Sequence, residues 1–81
     1  MKIDILSYPY DAEHFVVFFT RNGHDLGFKF AICEFLRDMD YLGFDCRAKS
    51  IDGKTGFIFH NSTEKEDIIF EAERFMKQYK L

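Results

Sequence analysis

Three histidines, two cysteines and a few aspartates are the residues of this 81-residue chain whose types could do chemistry. His14, His24, His60, Cys33 and Cys46 are potential zinc ligands. None stands at the Cys-x-x-Cys or His-x-x-x-His spacing that lets one turn or one helix face present two donors to a metal. Asp38, Asp40 and Asp45 offer oxygen to a harder cation. A calcium loop needs alternate oxygens around a sharp glycine turn and a closing glutamate, and Asp38-Met39-Asp40-Tyr41-Leu42-Gly43 does not continue that way. Cys33, Cys46 and Ser7 are the nucleophiles to weigh. There is no Gly-x-Ser-x-Gly elbow, and a Cys–His pair would depend on the fold bringing distant residues together. Arg21-Asn22-Gly23-His24-Asp25 has a single glycine, and Asp25 would repel a phosphate, so it reads as a connecting turn. These residues imply no metal, no cofactor and no enzyme.

Composition turns attention from chemistry to packing. Hydrophobic residues make up 47% and charged residues 31%, a globular balance that one domain spanning residues 1–81 accounts for. Eleven Phe and four Tyr, with no Trp, are many for so short a chain. A domain of this size buries only about 60–65% of the surface its unfolded chain exposes, so some of these rings must stay outside. The net charge of −3 argues against a general nucleic-acid coat, which needs a basic footprint. Met1-Lys2-Ile3-Asp4-Ile5-Leu6 has no apolar run of signal-peptide length, and no stretch approaches the roughly 20 apolar residues of a membrane span. With only two cysteines, a reduced, cytoplasmic protein without membrane contact is expected.

The elements that must position these residues follow from periodicity. Residues 2–8 alternate as a half-exposed strand, ended by Tyr8-Pro9-Tyr10-Asp11. Residues 14–20 are apolar at both parities, the pattern of a central strand with something on each face. Residues 21–31 carry two competing signals. Phe28, Ala31, Ile32, Phe35, Leu36, Met39 and Leu42 form one helical stripe, which favours a helix capped by Asp25 and ended by Gly43. Asn22-Gly23 followed by alternating Leu26, Phe28 and Phe30 favours a hairpin and a shorter helix. Asp52-Gly53 joins strands 44–51 and 54–60 in a two-residue hairpin that sets Ile51 against Lys54, Lys49 against Gly56 and Arg47 against Ile58. Residues 63–80 read as a helix with a Thr63/Glu66 capping box and a stripe of Ile68, Ala72, Phe75, Met76 and Tyr79. The order is ββαββα: an α+β two-layer sandwich, a four-stranded mostly antiparallel sheet with both helices on one face. By topology alone it is a ferredoxin-like arrangement with its last strand moved to the front.

This fold predicts a helix-free sheet face. Val16, Phe18, Leu6, Ile51 and Ile58 would form an apolar patch there, rimmed by Asp4, Asp45, Arg47 and Lys49. An apolar centre within a polar rim is the anatomy of a protein interface. The expected function is a small non-catalytic protein-binding module, an adaptor or inhibitor of the kind phage and mobile elements encode. It would act by occlusion through Val16, Phe18, Asp45, Arg47, Lys49, Ile58 and His60, on another protein or on a second copy of itself. The alternative is nucleic-acid or nucleotide binding along the basic strip of the 44–60 hairpin, Arg47, Lys49, Lys54 and His60, with Val16, Phe18 and Tyr8 beside them.

Overall fold

The computed structural model describes residues 2–21, 24–25 and 29–78. Its elements are β1 (Lys2–Ser7), β2 (His14–Arg21), β3 (His24–Asp25), α1 (Lys29–Tyr41), β4 (Cys46–Ile51), β5 (Lys54–His60) and α2 (Lys65–Gln78). Apart from the two-residue β3, this is the ββαββα order, an α+β domain. The four main strands are antiparallel neighbours in the order β1-β2-β5-β4. β2 and β4, joined through α1, are kept apart by β5, so the crossover is a split strand–helix–strand unit.

Strand parity decides the two faces. Phe15, Val17 and Phe19 of β2 and Phe57 and Phe59 of β5 point to one side, where Phe35 and Met39 of α1 and Ile68, Ala72 and Phe75 of α2 meet them in a single buried cluster. Both helices therefore cover the same face. Phe35 sits at its centre, with ring centroids 4.7 Å from Phe57, 5.0 Å from Phe19 and 5.2 Å from Phe75. Edge-on geometry at each of these contacts places the positive ring edge of one residue against the negative face of the next.

The chain does not begin a helix at Asp25. Thr20 pairs with Asp25 and Arg21 with His24, on either side of Asn22-Gly23. The physical reason lies in β2. Its ladder with β5 stops at Phe18 opposite Gly56, so the backbone groups of Thr20 and Arg21 on that side need other partners, which β3 supplies. His24 and Asp25 thus follow the hairpin reading, while Phe30, which that reading placed in alternation behind the turn, belongs to helix α1 (Lys29–Tyr41). Leu26, Gly27 and Phe28, and the side chains of Phe30, Ala31 and Ile32, lie outside the described residues. The far end follows the sequence signal. Gly43 has φ 86°, its N–H donates to Asp40 O, and Phe44 N–H donates to Met39 O at 2.9 Å. These two bonds form a Schellman motif around a left-handed glycine.

The 51–54 hairpin has the expected register, and Asp52 and Gly53 both have positive φ, the type I′ geometry. Helix α2 starts later than the capping box implies. Thr63 N–H donates to His60 O, and Glu64 takes the cap position, its carbonyl accepting from Asp67 and Ile68. Residues 79–81 lie outside the described residues.

Candidate functional site

Strand pairing builds the helix-free face row by row. Leu6, Val16, Ile58 and Arg47 lie side by side across β1, β2, β5 and β4, and the next row is Asp4, Phe18, Gly56 and Lys49. A third row runs through His14 and His60, and Tyr8 joins it because its N–H donates to His14 O.

Leu6 apart, the apolar members are not open to solvent. Val16, Phe18, Ile51 and Ile58 are 1%, 8%, 5% and 3% exposed and form a second small core, against which Tyr8 packs. The expectation of an exposed patch at Val16, Phe18 and Ile58 is corrected accordingly. The reading of β2 as a central strand covered on both faces is met. Gly56 explains part of this closure. A Cβ there would lie 2.5 Å from Val16 Cγ2, 3.1 Å from Ile51 Cδ1 and 3.2 Å from Phe18 Cε1. Its missing side chain lets three neighbours converge over the strand, a close approach that a residue with a Cβ would prevent.

What faces solvent is polar and aromatic. Asp45, Arg47, Lys49 and His60 are exposed, as are Leu6 at 57% and Tyr10 at 66%. Lys49 organises one half of this surface. Its Nζ donates to Tyr8 Oη at 3.2 Å and lies 4.6 Å from the Tyr10 ring centre and 5.9 Å from that of Tyr8. The face of the Tyr10 ring carries negative potential, so the ammonium is held by cation–π attraction to Tyr10 as well as by the hydrogen bond to Tyr8, whose ring it meets at the hydroxyl edge. From there a line of rings continues: Tyr10 to Tyr8 at 5.2 Å, Tyr8 to His14 at 6.1 Å and His14 to His60 at 5.4 Å, each close to edge-on.

Each histidine of this line is oriented by a neighbour. His14 Nδ1 is 2.8 Å from Asp11 Oδ1 and 3.1 Å from Oδ2, so it is the donor in that pair. This hydrogen bond is the main cause holding the Asp11 carboxyl below the usual carboxylate range. The Glu13 N–H assists and slight desolvation opposes. His60 Nδ1 accepts from Ser62 N–H at 3.0 Å, which leaves the ring hydrogen on Nε2 in the neutral form. An Asp–His pair orients an imidazole as it does in hydrolytic sites. Here, however, the Cys46 thiol packs against the helix-side core, on the opposite side of the sheet from His14 and His60. Burial first, then the charge of Asp45, pushes that thiol up to about 12, the reverse of nucleophile activation.

Beside this line, the β1–β2 connection and the start of α2 enclose an open groove of about 550 Å³ lined in part by Tyr8, Tyr10, Asp11, His14, Asn61 and Lys65. Several of its polar groups are already engaged. Asn61 Nδ2 donates to Ala12 O, and Lys65 Nζ lies 5.4 Å above the Phe15 ring. Among the described residues no three His, Cys, Asp or Glu side chains gather to hold a metal. Among them, too, no helix is long and apolar enough to cross a membrane.

Tyr10, Asp11 and His14 are the members of this surface that the sequence reading passed over. The signal for the histidines was present: pairing the Phe15 and Phe59 positions of two antiparallel strands sets His14 directly opposite His60. The meeting of Tyr8 and Tyr10 with Lys49 gave no comparable signal, since Lys49 lies about forty residues away with no periodic relation to them. Compared with protein-family models, curated sequences and solved structures, the chain matches none.

Proposed function

We propose that the protein is a small non-catalytic protein-binding module, an adaptor or inhibitor that acts by covering a surface of its partner. The contact would be made by the rim of the helix-free face: Asp45, Arg47, Lys49 and His60 with Tyr10 and Leu6. The observation that carries this reading is the exposed Tyr10 ring held beside the Lys49 ammonium at 4.6 Å, with Arg47 two residues away on the same strand face. Tyrosine and arginine dominate binding energy at interfaces because they combine large rigid contact area with directed polar groups. Val16, Phe18 and Ile58 form the packed floor beneath these residues rather than anchors that enter a partner. The test is affinity capture from cell lysate with Tyr10→Ala and Arg47→Glu beside the unaltered chain. A protein retained after nuclease treatment, and lost in both variants, supports the reading. Retention unchanged in both overturns it.

A second reading rests on the same cluster. Aromatic rings and cations on an open sheet face are also the means by which single-stranded nucleic acid is held. Binding along Arg47, Lys49, Lys54 and His60 would vanish on nuclease treatment. It would also weaken with salt, by roughly 0.7 in log K per decade of salt for each phosphate neutralised.

A further inference from the structure

The four main strands leave two sheet edges, and β4 forms one of them. Among the described residues β4 ends the strand order and pairs only with β5. Four of its six residues, Arg47, Ala48, Lys49 and Ser50, are exposed. The type I′ hairpin makes Ile51 and Lys54 a hydrogen-bonded pair, and the antiparallel ladder alternates from there. Ile51, Lys49 and Arg47 therefore direct their N–H and C=O groups to β5, while Ser50 and Ala48 direct theirs outward. The residues whose backbone is free carry two of the smallest side chains, which lets another chain approach closely.

The charges on this edge select what can approach. Arg47 and Lys49 share one face, and no carboxylate among the described residues lies within ion-pair distance of either. A second copy pairing antiparallel about Ala48 would set Arg47 against Lys49 twice. Like charges directly opposite each other destabilise a ladder. Basic edge residues are a known protection against self-pairing, and the same feature favours a strand of opposite charge.

We propose that β4 takes up an extended acidic segment of the partner protein as an added strand. Its carboxylates, at alternate positions, would face Arg47 and Lys49, the ammonium of Lys49 turning from Tyr8 and Tyr10 to meet them, and its backbone would bond to Ala48 and Ser50. This deepens the protein-binding reading above and rests on it.

The probe is a short peptide with Glu at alternate positions and Val or Thr between, added to the full chain, with a Lys-for-Glu peptide as control. The expected result is slowed amide hydrogen exchange at Ala48 and Ser50 with the acidic peptide alone. The Arg47→Glu/Lys49→Glu double variant should weaken binding about tenfold and shift preference to the basic peptide. Ala48→Pro removes one outward donor without touching the β5 ladder, and should abolish the protection while circular dichroism stays unchanged. Binding without protection at these amides overturns the added strand, and equal binding of both peptides overturns the charge selection. Protection without peptide that grows with protein concentration, with doubling of mass, assigns the edge to a second copy and overturns the proposal. A partner captured equally well by Ala48→Pro but lost with Tyr10→Ala would overturn the edge and leave the protein-binding reading standing. Capture of no protein would fail that reading, and the peptide measurement would still decide the edge.

Discussion

The ammonium of Lys49, on one edge strand, donates to the phenol oxygen of Tyr8, which follows the opposite edge strand, at 3.2 Å. The two side chains thus meet across the central strands β2 and β5, and Tyr8 rests on the cluster of Val16, Phe18, Ile51 and Ile58. An exposed hydrogen bond of this kind contributes little on its own, about 0.5–1 kcal/mol, with cation–π attraction of Lys49 to the Tyr10 ring adding a similar amount. Removal of the ring should cost more than removal of the hydroxyl. In urea unfolding, Tyr8→Phe is expected to lose no more than about 1 kcal/mol and Tyr8→Ala about 2–3 kcal/mol. If Lys49 acts through Tyr8, the double variant Tyr8→Ala/Lys49→Ala will be less destabilised than the sum of the two single changes. Additive losses would show that the two residues act independently.

Gly56 and Gly53 separate two reasons for glycine. At Gly56 the obstacle is space, since an added Cβ meets Val16 Cγ2 at 2.5 Å. At Gly53 nothing lies within 4 Å of an added Cβ, and the obstacle is φ 78°. Gly56→Ala should destabilise by about 1–3 kcal/mol through overpacking, and Gly56→Asn by more. Gly53→Ala should cost about 1 kcal/mol, with Gly53→Asn recovering part of it because Asn tolerates the left-handed region. Equal responses of the two sites to Ala and Asn in thermal unfolding would refute this distinction.

The hairpin around Asp52-Gly53 was legible because a local turn signal fixes the register of everything that follows it, down to Arg47 opposite Ile58. Gly43 was legible for the same reason, a short-range rule with one conformational solution. Asp25 was not. A helical stripe and a turn signal competed over the same residues, and unpaired ladder positions on β2, created by the length of a strand thirty residues later, favoured the turn. Phe18 shows the other limit. Parity told which face it occupies, and the apolar run that something covers it, but not what does. The closure depends on Gly56 and on Tyr8, neither of which belongs to the apolar pattern. The polar rim was half visible. Arg47, Lys49 and His60 followed from the hairpin register, while Tyr10 joined them through a loop contact with no sequence period.

Phe35 is fully buried at the meeting point of Phe19, Phe57 and Phe75. Truncation to Ala removes a ring that three others pack against, and such changes cost about 3–5 kcal/mol. Domains of this size hold only about 5–15 kcal/mol in total, so Phe35→Ala should leave the chain partly or wholly unfolded at 37 °C. Phe35→Leu, which keeps most of the volume, should fold with a lowered midpoint. A Phe35→Ala chain with unchanged amide dispersion and melting temperature would show that the aromatic cluster is not the centre of stability.

Asp11 gives the acid side of the pH profile. Its carboxyl is held below its ordinary value in the folded state, chiefly by His14, so its contribution is present above the unfolded value and is lost as pH falls through the folded one. Asp11→Asn should therefore flatten the acid limb of stability below about pH 4 and leave the alkaline limb alone. An identical acid limb in the variant would remove Asp11 from that role.

Cys46 gives the opposite sign. Its thiol is raised from the ordinary 9.0 to about 12, so the folded state keeps the proton that the unfolded state releases first. The stabilisation is complete below pH 9 and declines as pH rises from there toward 12. The same shift governs reactivity. Because the thiolate is the nucleophile, Cys46 should alkylate roughly a thousandfold more slowly in the native chain than a thiol with the ordinary value. Cys33, exposed on α1, has no such protection from burial. Iodoacetamide at pH 8 should label one residue in the folded protein, identified as Cys33 by peptide mass, and both in urea. Cys46→Ala should flatten the alkaline limb. Prompt native labelling of Cys46, or an alkaline limb that survives its removal, would show that the thiol is not shielded by the helix-side core.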